Sequence, residues 1–318
     1  MLEMSRVEKV FYQGQILRRK RRVVQDITFS LGPGETLGLI GPSGAGKSTI
    51  GKLAVRLLEP SEGRLAFEGR DITHADRRTS RRLKAKMQLI FQDPQSSLHP
   101  RKKISTLLRE PLRLHRLTTR SEEPEAVKQM LDQVDLNEDI LDRYPAEVSG
   151  GEKQRIVIAR VMALRPRIVV LDEPTSMLDV SIRISIMDLM LKLADEFGVS
   201  YLYITHDLAV ARYMCDRIAV MYLGKIVEMA PTEELLANPQ HPYTKALLAS
   251  VPVPDPAYQK QEAEIKGGIS KAINPPETCR FLERCPFATD QCRTDPHPAL
   301  EEKSDRHFVA CHLVQKAG

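Results

Sequence analysis

Gly41-Pro42-Ser43-Gly44-Ala45-Gly46-Lys47-Ser48 sets glycines, a lysine and a hydroxyl at the spacing that holds phosphate groups. The glycines let successive backbone N–H groups turn inward around anionic oxygens. Lys47 brings a point charge to the β- and γ-phosphates of a nucleoside triphosphate, and the Ser48 hydroxyl can ligate magnesium. The motif needs a strand before it and a helix after it. Glu35–Ile40 has the pattern of a buried strand, and Ser48–Leu58 has helical spacing, so a helix N-terminus adds a favourable dipole.

A second set of residues complements the first. Ile168-Val169-Val170-Leu171 is an apolar strand that ends in Asp172 and Glu173. Two adjacent acids at the mouth of a buried strand are costly without a cation, and a magnesium nucleotide supplies one. Asp172 would hold the magnesium, directly or through water. Glu173 would polarise the attacking water as general base.

With these residues in place the chain resembles an ABC-transporter ATPase over roughly residues 1–250. Ser149-Gly150-Gly151-Glu152-Lys153-Gln154-Arg155 is similar to that family's signature motif. Gln92, in Phe91-Gln92-Asp93-Pro94, resembles the glutamine loop. Ser176-Met177-Leu178-Asp179 resembles the D-loop, and His206, in Thr205-His206-Asp207, the switch histidine. The resemblance implies that Gln92 senses magnesium and the attacking water and that His206 supports the γ-phosphate in the transition state. It implies that Ser149, Gly150, Gly151 and Asp179 serve ATP bound by an opposite cassette. The chain's own ATP would lie on Gly41, Pro42, Ser43, Gly44, Ala45, Gly46, Lys47, Ser48 and Thr49, with Phe11, or next Tyr12, stacked on adenine. Magnesium would be held by Ser48, Gln92 and Asp172. One departure stands out: Glu152 occupies a position where the family usually has glutamine. An acid beside a triphosphate adds repulsion on the order of 1 kcal/mol unless it is screened.

Three stretches resemble the oligopeptide, dipeptide and nickel importer branch. They are Phe91–Leu98 followed by His99-Pro100-Arg101, then Arg143-Tyr144-Pro145-Ala146-Glu147, and finally Asn238-Pro239-Gln240-His241-Pro242-Tyr243-Thr244-Lys245-Ala246-Leu247-Leu248. This implies an ATPase subunit on the cytoplasmic face of a membrane, working with two transmembrane permease subunits, a second and homologous ATPase, and an extracytoplasmic solute-binding protein. Di- or oligopeptides are the first expectation for the solute, nickel or another solute the alternative. A soluble ABC ATPase acting on DNA or ribosomes is the alternative of another class. Such proteins usually carry tandem cassettes or a long coiled coil, and this chain has one cassette and no sustained heptads. The basic runs Arg18–Arg22 and Arg77–Lys86 lack the aromatic interleaving of nucleic-acid binders and suit a solvated or headgroup-facing surface.

Cys279, Cys285, Cys292 and Cys311 follow the spacing C-x5-C-x6-C-x18-C. Four thiolates can hold zinc or an iron–sulfur cluster. Zinc sites favour paired knuckles that are absent here, and the wider spacing suits a 4Fe–4S cube; unligated thiols are the third reading. The tail also resembles the cysteine-rich extension of the peptide-importer branch, some members of which carry such a cluster. Cys215, alone in the body of the chain, reads as a small buried apolar residue.

These residues need elements to hold them. Apolar strand-sized runs such as Ile168–Leu171 and Tyr201–Ile204, with the helical period of Met187–Phe197 between them, give an α/β fold with a parallel sheet. The expectation is a P-loop NTPase of the ABC-cassette type over residues 1–250. It has short strands over residues 1–40, an inserted helical subdomain at about 95–165 and a small cysteine-rich C-terminal extension over 251–318. The 318 residues, 42% hydrophobic and 28% charged with net charge +5, suit a globular chain with a substantial core and permit, without requiring, an anionic partner. No apolar run approaches the roughly 20 residues of a membrane span, and Met1–Val10 does not have the pattern of a signal peptide.

Overall fold

A computed structural model describes residues 1–13, 19–250, 274–275 and 277–315. The N-terminal strands are long rather than short: β1 (Leu2–Gln13) and β2 (Arg19–Leu31) pair antiparallel, and Arg18 of the basic run lies outside the described residues. The order continues β3 (Thr36–Ile40), α1 (Lys47–Ala54), β4 (Glu62–Phe67), β5 (Arg70–Asp71), α2 (Arg77–Lys86) and β6 (Met87–Ile90). Helices α3 (Ile104–His115), α4 (Glu123–Asp132) and α5 (Gly150–Met162) come next. Then follow β7 (Ile168–Asp172), α6 (Val180–Phe197), β8 (Ser200–Thr205), α7 (Leu208–Met214), β9 (Arg217–Tyr222), β10 (Lys225–Pro231), α8 (Thr232–Ala237) and α9 (Pro242–Ala249). The chain ends with α10 (Asp290–Thr294), β11 (Glu301–Ser304) and β12 (His307–Val309).

Among the described residues these strands make two sheets. A four-stranded antiparallel sheet has the order β2-β1-β4-β5, and an eight-stranded sheet the order β11-β12-β10-β9-β3-β8-β7-β6. Strands β9, β3, β8, β7 and β6 run parallel. Every residue of β3, β7 and β8 is buried, as expected for strands covered on both faces. One core lies between the two sheets and includes Leu2, Ile27, Leu37, Leu39, Ile50 and Ile204. The other joins the large sheet to the helices, through Leu107, Leu131, Ile156, Leu171, Leu193 and Tyr203. Helix α1 presses closely on the sheet: a Cβ at Gly51 would stand 2.8 Å from Ile204 Cδ1 and 2.9 Å from Val170 Cγ1. Cys215 is buried in the core, and burial pushes its thiol up.

The C-terminal residues join the main sheet. Strand β12 pairs with β10 in the register Glu228↔Val309 and Met229↔Phe308. Cys279, Phe281, Cys285 and Cys292 belong to the same core as α3–α6, and Phe281 packs edge-on against Tyr222 with ring centroids 5.4 Å apart. The joint closes over a buried ion pair: Glu228 and His307 are both 0% exposed, with His307 Nε2 2.7 Å from Glu228 Oε1. The same carboxylate accepts the backbone N–H groups of Gln240 at 2.7 Å and His241 at 3.0 Å, capping the turn into α9.

Burial alone would push Glu228 up, but His307 and the two N–H groups hold it below the usual carboxylate value. Burial would push His307 down, and Glu228 with Glu234 holds it above the usual imidazole value. The stabilisation from a raised histidine is full below its unfolded value of 6.5 and fades as pH rises through its folded one. That from a depressed carboxylate is full above 4.5 and fades as pH falls through its folded value. Urea unfolding should therefore show His307→Gln losing most stability between these two values, with the gap to wild type narrowing on either side. Glu228→Ala should cost roughly 3–5 kcal/mol, because it strands a buried partner.

Candidate functional site

A cavity of about 890 Å³ opens where β3 meets α1, and its walls include Lys47, Ser48, Thr49, Gln92, Asp172, Glu173 and His206. The phosphate-loop residues Pro42, Ser43, Gly44 and Gly46 line it too, whereas Gly41 and Ala45 stand behind them. Gly46 caps α1 at φ 102°, and a Cβ there would lie 2.6 Å from Val24 Cγ1, so only glycine lets the loop turn this tightly against β2. Lys47 is 6% exposed and donates to the carbonyl oxygens of Gly41 at 2.7 Å and Pro42 at 3.1 Å. Burial lowers its ammonium pKa, while Glu173 and Asp172 oppose the shift.

Strand β7 delivers the acids. The Ser48 hydroxyl donates to Asp172 Oδ1 at 3.0 Å. Burial raises the Asp172 carboxyl above its usual range against the Ser48 bond, and the neighbouring Glu173 charge adds to the rise. A hydroxyl and a carboxylate side by side are the hard oxygen donors that magnesium takes. Glu173 sits at φ 49°, a left-handed conformation uncommon for a residue with a side chain. Its N–H still bonds Ile204 O at 2.9 Å. The turn aims its carboxylate into the cavity, where Oε2 accepts Gln92 Nε2 at 3.0 Å and Oε1 lies 2.9 Å from His206 Nδ1. Three residues from the ends of β6, β7 and β8 thus meet at one carboxylate.

Phe11 and Tyr12 stand on the cavity rim, 36% and 60% exposed. Arg21 and Val23 of β2 line the same wall and were missed by sequence reasoning. Only the pairing register Phe11↔Arg21 brings them there, and no local motif encodes it.

Ser149, Gly150 and Gly151 are not brought to this cavity. Ser149 caps α5, and Ser149 and Gly151 line a separate cavity of about 550 Å³ with Asp135, Asn137, Arg143 and Arg155. Asp179 caps α6 and lines neither. Glu152 closes a capping box: its carboxylate accepts Ser149 N–H at 2.7 Å, and Ser149 Oγ accepts Glu152 N–H at 3.3 Å. The Ser149 N–H bond holds the Glu152 carboxyl below its usual range.

Cys279, Cys285, Cys292 and Cys311 are buried and form no disulfide. Burial pushes Cys279 up to about 11, and the nearby thiols of Cys292, Cys311 and Cys285 add to the rise. Among the described residues, no group of three or more His, Cys, Asp or Glu residues is arranged as a metal-ligand set.

The model of the ABC transporter family matches residues 24–176, and that of the oligopeptide/dipeptide transporter C-terminal region matches residues 227–292. The chain is 44% identical over 290 residues to a putative peptide import ATP-binding protein of Brucella ovis, covering 91% of each chain. It is 42% identical to the oligopeptide transport ATP-binding protein AppF of Bacillus subtilis, covering 98% of this chain and 97% of that one. It is equally 42% identical to the dipeptide transport ATP-binding protein DppF of Haemophilus influenzae, covering 92% and 89%. A dimeric post-hydrolysis ATP-binding cassette bound to ADP and Pi superposes with a TM-score of 0.66 at 27% identity, over 73% of this chain and 99% of that one.

Removing the buried ammonium tests the cavity directly. Lys47→Ala should weaken binding of magnesium ATP about ten- to a hundredfold, the worth of charge-assisted bonds to phosphate, read by calorimetric titration.

Proposed function

The chain belongs to the ABC-transporter ATP-binding proteins of the peptide-import family, and from that premise we propose that it hydrolyses ATP to drive a membrane importer of di- or oligopeptides. The observation that carries the reading is the Glu173 carboxylate, held between Gln92 and His206 at the mouth of the phosphate-loop cavity. Glu173 is placed to take a proton from water attacking the γ-phosphate. His206 would bind that phosphate and steady the developing charge. Gln92 would orient the water while reporting the state of the site. Lys47 would leave the carbonyls of Gly41 and Pro42 for phosphate oxygens. Ser48, Asp172 and Gln92 would hold magnesium, which neutralises phosphate charge when bound.

The partners follow from what one chain leaves incomplete. Ser149, Gly150, Gly151 and Asp179 lie away from the chain's own cavity and would complete the site of a second, homologous ATPase. Residues 95–165 or thereabouts, which include α3, α4 and α5, would act as the inserted helical subdomain. A cleft of about 740 Å³ between β6 and helices α3 and α5 is edged by Phe91 and by Leu114, which is 81% exposed. Exposed apolar groups beside a cleft suit a docking permease element. Among the described residues no helix is long and apolar enough to cross a membrane. From the family we place the chain at the cytoplasmic face through two permease subunits, served by a solute-binding protein outside. The peptide solute rests on the relatives' names.

For the cysteine segment, taken as a C-terminal extension, we keep a 4Fe–4S cluster on Cys279, Cys285, Cys292 and Cys311. The support is four buried thiols, of which Cys285, Cys292 and Cys311 stand close enough to Cys279 to add to the rise in its pKa.

Glu173→Gln in the assembled complex should keep ATP binding and cut turnover by about 10²–10⁴-fold; near wild-type hydrolysis would remove Glu173 from the role of base. Anaerobically purified protein should be brown with about four irons per chain and should bleach on any single Cys→Ser change among the four, but not on Cys215→Ser. Colourless protein carrying one zinc would replace the cluster with a zinc staple.

A further inference from the structure

Strand β2 lies at the edge of the four-stranded sheet, with β1 along one side only. Its other side is covered at Lys20–Arg22 by a side chain that imitates a strand. Asn274 Oδ1 accepts the Arg22 N–H at 2.9 Å, and Asn274 Nδ2 donates to Lys20 O at 2.6 Å. Two further side chains grip the same strand. Glu277 accepts from Arg22 Nη1 at 2.5 Å and from Gln25 Nε2 at 3.1 Å. Arg280, 6% exposed, donates to Gln25 Oε1 and to Pro275 O. Cys279 lies between them in the sequence, buried in the main core. The segment that carries the cysteines therefore holds β2 at three points.

The same stretch of β2 forms a wall of the nucleotide cavity. Arg21 and Val23 line it. The Val23 carbonyl stands 3.1 Å, and Val24 Cγ1 2.6 Å, from where a Cβ at Gly46 would lie, so β2 abuts the phosphate loop itself. Tyr12 and Val23 line both that cavity and a second one, of about 490 Å³, that reaches Asn274, Glu277 and Arg280. One strand separates the two.

We propose that Asn274 and Glu277 are positioning residues for the nucleotide site: by fixing the outer edge of β2 at Lys20–Arg22, beside the point where the Gln25 N–H donates to the Gly224 carbonyl, they hold its wall against the phosphate loop, and they link nucleotide affinity to the docking of the cysteine segment. The proposal rests on the reading of the 890 Å³ cavity as the ATP site. It does not depend on what the cysteines carry. Linkage is reciprocal, so bound nucleotide must stabilise the docked segment by the factor with which docking strengthens nucleotide binding.

The test uses the full-length chain and titration with magnesium ADP, which avoids hydrolysis. Asn274→Ala and Glu277→Arg should each weaken binding about fivefold or more. For Glu277→Arg this runs against simple electrostatics, since an added cation near an anionic ligand would tighten binding. Adding Arg22→Glu to Glu277→Arg restores a pair of opposite charges and should recover most of the loss. Backbone amides of residues 277–285 should exchange more slowly when nucleotide just saturates wild type, and slow less in Lys47→Ala at the same nucleotide concentration. Unchanged affinity in both single variants, with wild-type thermal unfolding, would overturn the proposal. So would a double variant as weak as Glu277→Arg alone, because the segment would then matter only as generic packing. Failure of wild type to bind magnesium ADP would instead sink the reading of the cavity, and the proposal with it.

Discussion

One ammonium and two carboxylates packed at one end of the parallel strands form the constraint that the rest of the structure serves. Lys47 and Asp172 are almost fully buried, and burial disfavours the charged form of each. Neither could be kept there by an apolar surround alone. The loop carbonyls of Gly41 and Pro42 satisfy the lysine, and Ser48 satisfies the aspartate. Register does the remaining work. Pairing of β3 with β8, β8 with β7 and β7 with β6 sets Ile40, Thr205, Asp172 and Ile90 at one end of the sheet, so that the loop, Glu173, His206 and Gln92 emerge together. A one-residue slip between strands would turn their side chains to opposite faces and scatter the set.

What could be read from the sequence was what is encoded locally. The phosphate loop, with its strand before and helix after, lies within about twenty consecutive residues, and glycine and lysine chemistry marks it. Asp172 and Glu173 were legible because charge at the end of an apolar run needs a reason. The meeting of Gln92 and His206 on one carboxylate was not visible, since only parallel pairing brings those residues together. Arg21 and Val23 stayed hidden because they reach the cavity through an antiparallel register that no local motif encodes. The ion pair of Glu228 and His307 joins positions far apart in the sequence, and each alone looks like a surface residue. Strand β11, Glu301–Ser304, is too polar and short to read as a strand, and only pairing with β12 makes it one. Glu152 looked like an intruder on phosphate; in the structure its carboxylate completes a helix cap.

The C-terminal residues illustrate how a short segment acquires a fixed structure. Residues 277–315 are too few to enclose a core of their own. They borrow one instead: Phe281 and three of the four cysteines enter the core of the cassette, β12 extends its sheet, and a desolvated ion pair seals the joint. Such a pair is a poor source of net stability, yet it strongly penalises any arrangement that leaves one partner unmatched. It therefore specifies where the segment sits more than how tightly it is held.

The separation of the Ser149 cavity from the Lys47 cavity has a geometric consequence. Under the proposed pairing each chain would offer a neighbour one socket, the Lys47 cavity, and one plug, the turn at Ser149 that opens α5. Units with unlike ends can string into open arrays, unless a single rotation lets both contacts form at once. A half-turn does this: each plug enters the other's socket, and the array terminates at two members. Nothing in that closure demands that the members be the same gene product, only that their ends match in shape. A pair of different chains then has two chemically distinct sockets, and natural selection can retune one while the other keeps its rate.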